Sequence, residues 1–155
     1  NIKPGNPYPI LHEIMHQEIS HILTDFGIFK CSVEAAFTQG LSTAFFPHGL
    51  GHLLGTQTHD VGGHLVNDRG DIQLPDAQYQ SLRFTRNIEP QQVFTIEPGI
   101  YFIPMLLDPI RNSKDIDWNR VQHFVPYGGI RIEDNVLVTN NGSKNLTRPL
   151  FESLQ

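Results

Sequence analysis

The 155 residues, 39% hydrophobic and 17% charged, suffice for one domain with a sizeable core, and their composition is not that of a disordered chain. A formal net charge of −5 without a Lys/Arg cluster argues against a nucleic-acid partner, and the lack of any apolar run of roughly 18 residues argues against a transmembrane helix. Cys31 is the only cysteine, so no intrachain disulfide forms; with no signal-peptide pattern, a cytoplasmic setting is expected.

The chain opens on Asn1-Ile2-Lys3-Pro4-Gly5 without an initiating Met, which reads as the interior of a longer polypeptide. Pro9 to Phe26 reads as one amphipathic helix. Ile10, Leu11, Ile14, Met15, Ile19, Ile22, Leu23 and Phe26 recur at helical spacing, Pro9 suits the first turn and Gly27 the stop. From Gly40 to Gly63, six glycines and no helical period predict a short extended segment at Ala44-Phe45-Phe46, then a glycine-rich loop with some strand character. Val66 to Ser81 is polar and irregular. Val93 to Ile96 and Ile100 to Ile103 are β-rich runs split by Pro98-Gly99, which predicts strand, turn, strand. Leu106 to Phe124 reads as a polar insertion with a short helix at Trp118 to His123. Gly129 to Glu133 alternates as a strand with one polar face, and Asn135 to Thr139 follows as another, ended by the turn Asn140-Asn141-Gly142. Helix, loop, then strands in that order predicts an α+β domain.

Three constellations carry chemistry. His12-Glu13-Ile14-Met15-His16 matches the H-E-x-x-H pattern, in which two histidines one turn apart bind zinc and the glutamate acts as base. The plainer reading is a solvated helix flank, because both histidines lie at the edge of the apolar face and Glu13 lies opposite its centre. Pro47-His48-Gly49-Leu50-Gly51-His52, continuing to His59-Asp60-Val61-Gly62-Gly63, brings three imidazoles into a glycine-rich loop. Glycines there allow close backbone approach to an ion or a substrate, and imidazoles ligate metals or transfer protons near neutral pH. The plainer reading is a turn with incidental histidines. Third, Glu97 and Glu133 sit among apolar, β-branched residues, where a partly buried carboxylate needs a partner or a metal. The plainer reading pairs Glu133 with an arginine and turns Glu97 to solvent.

Four stretches resemble the signature blocks of the pita-bread metallopeptidases, the group of prolidases, aminopeptidase P and methionine aminopeptidases. They are Pro47 to His52, His59 to Gly63, Thr95-Ile96-Glu97-Pro98-Gly99-Ile100-Tyr101, and Gly128-Gly129-Ile130-Arg131-Ile132-Glu133-Asp134-Asn135. Tyr101-Phe102-Ile103, Leu106-Leu107, Asp117-Trp118 and Pro126-Tyr127-Gly128-Gly129 are similar to the bacterial Xaa-Pro dipeptidase subgroup, which also contains organophosphorus acid anhydrolases.

The resemblance covers nearly the whole chain in order. It implies the C-terminal portion of a pita-bread domain, without the N-terminal domain or the first half of the catalytic domain. It implies two divalent ions, expected to be Mn²⁺ with Co²⁺ or Zn²⁺ as alternatives, held by two aspartates, one histidine and two glutamates. By motif position His52, Glu97 and Glu133 are the ligands. The aspartate pair is missing, since Asp25 is the only aspartate before His52, and the chain by itself is expected to be inactive.

The implied reaction is hydrolysis of a dipeptide with C-terminal proline by a metal-activated hydroxide, with Glu97 as proton acceptor. His59 is expected to stabilise the tetrahedral centre, His48 to lie near the substrate proline, and Arg83 to bind the substrate carboxylate, with Arg86 a close alternative. Arg131 is expected to orient the carboxylates that hold the metal. A homodimer is implied, with no nucleic-acid or membrane partner. Two other readings stay open: a zinc protease using His12, Glu13 and His16, and a non-catalytic pita-bread peptide-binding module.

Overall fold

The computed structural model describes residues 1–154. It contains helices α1 (Tyr8–Asp25), α2 (Val33–Thr38), α3 (Pro104–Leu107), α4 (Trp118–Phe124) and α5 (Arg148–Glu152). Its strands are β1 (Val93–Ile96), β2 (Gly99–Tyr101), β3 (Gly129–Arg131), β4 (Asp134–Thr139) and β5 (Gly142–Asn145). The mixture is the α+β class read from the sequence. The chain divides into two compact units.

The first unit comprises Asn1–His12, His48–Glu97 and the chain from Ile132 onward. Its sheet has the order β1-β4-β5, all antiparallel. Val93 stands opposite Leu137 and Ile96 opposite Asp134, and the turn at Asn140-Asn141 returns β4 into β5. The core gathers Tyr8, Leu50, Phe84, Ile88, Phe94 and Val136, all nearly inaccessible to solvent. The Tyr8 ring stacks on Phe84 with centroids 4.2 Å apart, and Phe94 meets both rings edge-on. Such aromatic pairs add to burial through their quadrupoles, by roughly 0.5–1.5 kcal/mol each.

The second unit comprises Glu13–Pro47 and Pro98–Arg131. Phe29, Phe45, Phe102 and Phe124 form a run of ring contacts with centroids 5.1–5.7 Å apart. β2 pairs antiparallel with β3, Gly99 opposite Arg131. Helix α2, absent from the sequence reading, starts at a Ser32 cap whose hydroxyl accepts the Ala35 N–H. The helix predicted in the insertion is α4, capped by the Asp117 carboxylate on the Arg120 N–H.

Three expectations need correction. Ala44-Phe45-Phe46 is not extended: Leu41–Ala44 is a 3₁₀ turn entered through Gly40 at φ 68°, and the Phe46 N–H closes back onto Ser42 O at 2.8 Å. β1 and β2 are not a hairpin, because β1 pairs with β4 and β2 with β3. In α1 the buried stripe runs through Tyr8, Leu11, His12, His16, Ile19, Ser20 and Leu23, whereas Ile10, Ile22 and Phe26 are exposed. No helix among the described residues is long and apolar enough to cross a membrane.

Candidate metal centre

The site is built where the glycine-rich loop runs alongside β1. Leu54 N–H donates to Val93 O, Thr95 N–H to His52 O and Glu97 N–H to Leu50 O, at 2.6–3.0 Å, and Leu53 forms an antiparallel bridge with Phe94. The loop therefore has the strand character expected of it. Its glycines, however, serve backbone packing. A Cβ on Gly51 would stand 1.9 Å from Thr95 O and 2.6 Å from the Tyr8 hydroxyl, so only a residue without a side chain admits this pairing.

That register sets His52 against Thr95, and strand alternation puts the Thr95 and Glu97 side chains on one face. His52 Nε2 lies 3.2 Å from Glu97 Oε1, with both residues 6% exposed. His52 Nδ1 lies 3.0 Å from Leu53 O. A carbonyl oxygen only accepts, so Nδ1 carries the hydrogen and Nε2 is left facing the carboxylate. Two bare acceptors in a buried contact repel unless a proton or a cation lies between them. A ligating histidine anchored to a carbonyl through its other nitrogen is the usual arrangement around a protein-bound metal. In this respect the pair fits a divalent ion.

The other ligand candidate, Glu133, is exposed. Counting one step past the last β1–β4 pair, Ile96 opposite Asp134, makes Glu97 and Glu133 the next opposite positions. Like charges at opposite cross-strand positions are unfavourable without a counterion. Among the described residues no group of three or more His, Cys, Asp or Glu side chains is placed to hold a metal ion. The structure thus draws together His52 and Glu97, with Glu133 adjacent in register but solvent-facing.

His59 is exposed, and its ring meets that of His52 edge-on at 4.4 Å. His48 is half-buried with Nδ1 2.8 Å from Gly49 O. Arg86 is bound to Glu89 at 2.8 Å, whereas Arg83 is exposed and its guanidinium makes no ion pair among the described residues. Arg131 is exposed at the end of β3.

The structure contradicts both readings of the first constellation. His12 and His16 are 2% and 1% exposed, so they are not a solvated flank. His12 packs edge-on against the Tyr79 ring at 4.6 Å, and His16 Nδ1 lies 2.9 Å from Ser42 Oγ. Glu13, the base of the zinc-protease reading, is exposed. Both histidines are core residues packed against these neighbours.

Two residues at the site had no role in the sequence reading. Thr95 donates its hydroxyl to Glu97 Oε1 and accepts the His52 N–H at 3.0 Å. Its signal was its place two residues before Glu97 on the same strand face. Tyr8, fully buried, donates its hydroxyl to Thr95 O at 3.2 Å. Burial first, and the Glu97 charge second, push its phenol well above the ordinary 10.0. Nothing local in the sequence announces this contact, which spans most of the chain.

The model of metallopeptidase family M24 matches residues 1–140. The chain is 51% identical over 154 residues to a Xaa-Pro dipeptidase of Xanthomonas campestris pv. campestris (strain B100), covering 97% of this chain and 35% of that protein. It is 47% identical over 150 residues to Xaa-Pro dipeptidase 1 of Idiomarina loihiensis, covering 95% of this chain and 33% of that one. The chain therefore spans about a third of the length of these relatives. Among solved structures it resembles proline aminopeptidase P II from Yersinia pestis, with a TM-score of 0.63 and 31% identity over 96% of this chain and 28% of that one. It also resembles zinc-substituted Escherichia coli aminopeptidase P in complex with product, with a TM-score of 0.65 and 28% identity over 96% and 27% of the two chains.

Proposed function

From the premise that this chain belongs to metallopeptidase family M24, we propose that the polypeptide carrying it hydrolyses dipeptides with a C-terminal proline, and that His52, Glu97 and Glu133 are metal ligands in that reaction. One observation carries the reading: a buried imidazole and a buried carboxylate 3.2 Å apart, oriented so that a proton or a cation must lie between them. Identity near 50% to named Xaa-Pro dipeptidases over almost the whole chain supports the substrate class.

Imidazole with carboxylates suits Mn²⁺, Co²⁺ or Zn²⁺, and Mn²⁺ is the expected species for a carboxylate-rich set. Bound divalent ions would supply Lewis-acid polarisation of the scissile carbonyl and a nucleophile at neutral pH. The chain's own groups do the rest. Glu97 takes the proton released as water attacks. His59, beside His52 and open to solvent, donates to the oxygen on which charge develops. Arg83 takes the substrate carboxylate, since its fork is uncommitted while Arg86 is engaged by Glu89. His48 borders the proline ring, and Arg131 orients the ligand carboxylates.

The 155 residues supply three ligands, which makes them a half-site that hydrolyses nothing by itself; the remaining carboxylates come from elsewhere in the working enzyme. These residues are the C-terminal part of the catalytic domain, and the working enzyme is a cytoplasmic homodimer. The test is Glu97→Gln in the complete natural polypeptide, assayed on a panel of Xaa-Pro dipeptides. Glutamine keeps the shape and an acceptor for Thr95, so the fold survives. Activity falls at least about 100-fold, the scale on which general acid–base catalysis contributes. Retained hydrolysis overturns the assignment.

A further inference from the structure

We propose that Thr95 is the positioning residue of the His52–Glu97 pair, its one hydroxyl clamping the backbone of the imidazole residue to the carboxylate. The inference rests on the reading of that pair as metal ligands.

A hydroxyl has one hydrogen and two lone pairs. At Thr95 one lone pair takes the His52 N–H at 3.0 Å, and the hydrogen goes to Glu97 Oε1. The Thr95 N–H donates to His52 O at 3.0 Å, so backbone and side chain both hold His52 in register. The Thr95 carbonyl is held in turn by the Tyr8 hydroxyl at 3.2 Å. Tyr8 is fully buried, stacked on Phe84 and met edge-on by Phe94. On its other side the carbonyl abuts Gly51, where even a Cβ would collide. Thr95 is 1% exposed, so water cannot stand in for any of these contacts. A β-branched side chain also keeps few rotamers, which fixes where the hydroxyl points. The 3.2 Å separation of Nε2 and Oε1 is therefore a consequence of Thr95.

The test uses the complete natural polypeptide carrying this sequence, stripped of metal. Mn²⁺ affinity is measured by titration, and the imidazole nitrogen resonances of His52 are recorded before metal is added. Valine preserves the branch and volume but neither donates nor accepts. Thr95→Val is expected to weaken Mn²⁺ binding about 10- to 100-fold, the usual effect of removing a group that orients a ligand, and to shift the His52 resonances. Thr95→Ser, which keeps the hydroxyl, restores affinity to within about threefold, well short of that loss.

If Thr95→Val lowers only the unfolding temperature, with Mn²⁺ affinity and His52 resonances unchanged, Thr95 merely supports the fold and the proposal fails. If Thr95→Val does not fold, Thr95→Cys, similar in size but a poor donor and acceptor, carries the same two expectations. Glu97→Gln measured in parallel separates the two readings. Mn²⁺ affinity unaffected by Glu97→Gln sinks the ligand assignment, while the His52 resonances in the Thr95 variants still decide the clamp.

Discussion

His52 Nε2 and Glu97 Oε1 face each other at 3.2 Å with each side chain 8% exposed. A carboxylate so placed loses most of its hydration and needs compensation from positive charge or donors. Thr95 supplies one donor, and the imidazole supplies a second only if its Nε2 is protonated. A divalent ion bound between the two groups would supply such charge.

Elemental analysis of the 155-residue chain, loaded with Mn²⁺ and desalted, should therefore find at most one weakly held ion per chain. Two ions per chain would mean that a partner copy completes the ligand set, and the half-site reading would have to be given up.

The buried histidines of α1 make a contrasting prediction. Glu13→Ala should leave dipeptide hydrolysis by the complete polypeptide within about twofold, because surface substitutions away from a site change little. His16→Ala should cost about 1–3 kcal/mol in urea denaturation, since it leaves Ser42 Oγ buried without its 2.9 Å partner. Loss of activity in Glu13→Ala with unchanged stability would revive the zinc-protease reading.

Much of this architecture was legible because it is local. α1 announced itself through Pro9, Gly27 and a helical period, β1 through its apolar run, and α4 through its cap. What was hidden depends on long-range pairing. The burial of His12 and His16 is set by Tyr79 and Ser42, which no helical wheel contains. The pairing of β1 with β4 rather than β2 is decided by partners far along the chain, not by Pro98-Gly99. Glu97 was correctly read as buried, but Glu133 was not, because its apolar neighbours Ile130 and Ile132 are themselves exposed, at 68% and 51%. The candidate site divides the same way: His52, Glu97 and Glu133 are candidates by motif, while Thr95 and Tyr8 became visible only with the backbone in place.

Tyr8 gives a prediction in the alkaline range. Its phenol is held above 10.0 by burial and by Glu97, so the fold favours the neutral form. The corresponding stability is fully present below the ordinary phenol value and is lost as pH rises through the raised one. Denaturation at increasing pH should show stability falling above about pH 10, with a shallower fall in Tyr8→Phe. Ultraviolet titration should show Tyr8 ionising late, and Tyr8→Phe should remove that phase. At neutral pH the same substitution should cost about 1 kcal/mol for the lost bond to Thr95 O.

Cys31 should be a sluggish thiol. Burial first and the Asp115 charge second raise it above its ordinary 9.0, and only the thiolate reacts. Its rate with a disulfide reagent at pH 8 should fall below that of free cysteine, and Asp115→Asn should recover part of the difference. A rate equal to that of free cysteine would contradict this account.

Gly51 and Gly142 show how differently one residue type can behave. A Cβ at position 142 would meet nothing within 4 Å, whereas at position 51 it would overlap the Thr95 carbonyl. In a saturation library scored for folding, position 142 should accept most of the amino-acid alphabet and position 51 only one letter. Alanine at 51 is the most conservative edit available, and it should be as damaging as a large one, because the obstruction begins at the first side-chain carbon. Tolerance at this position is a step and not a slope, and any hydrophobicity or volume scale used to rank variants there will fail.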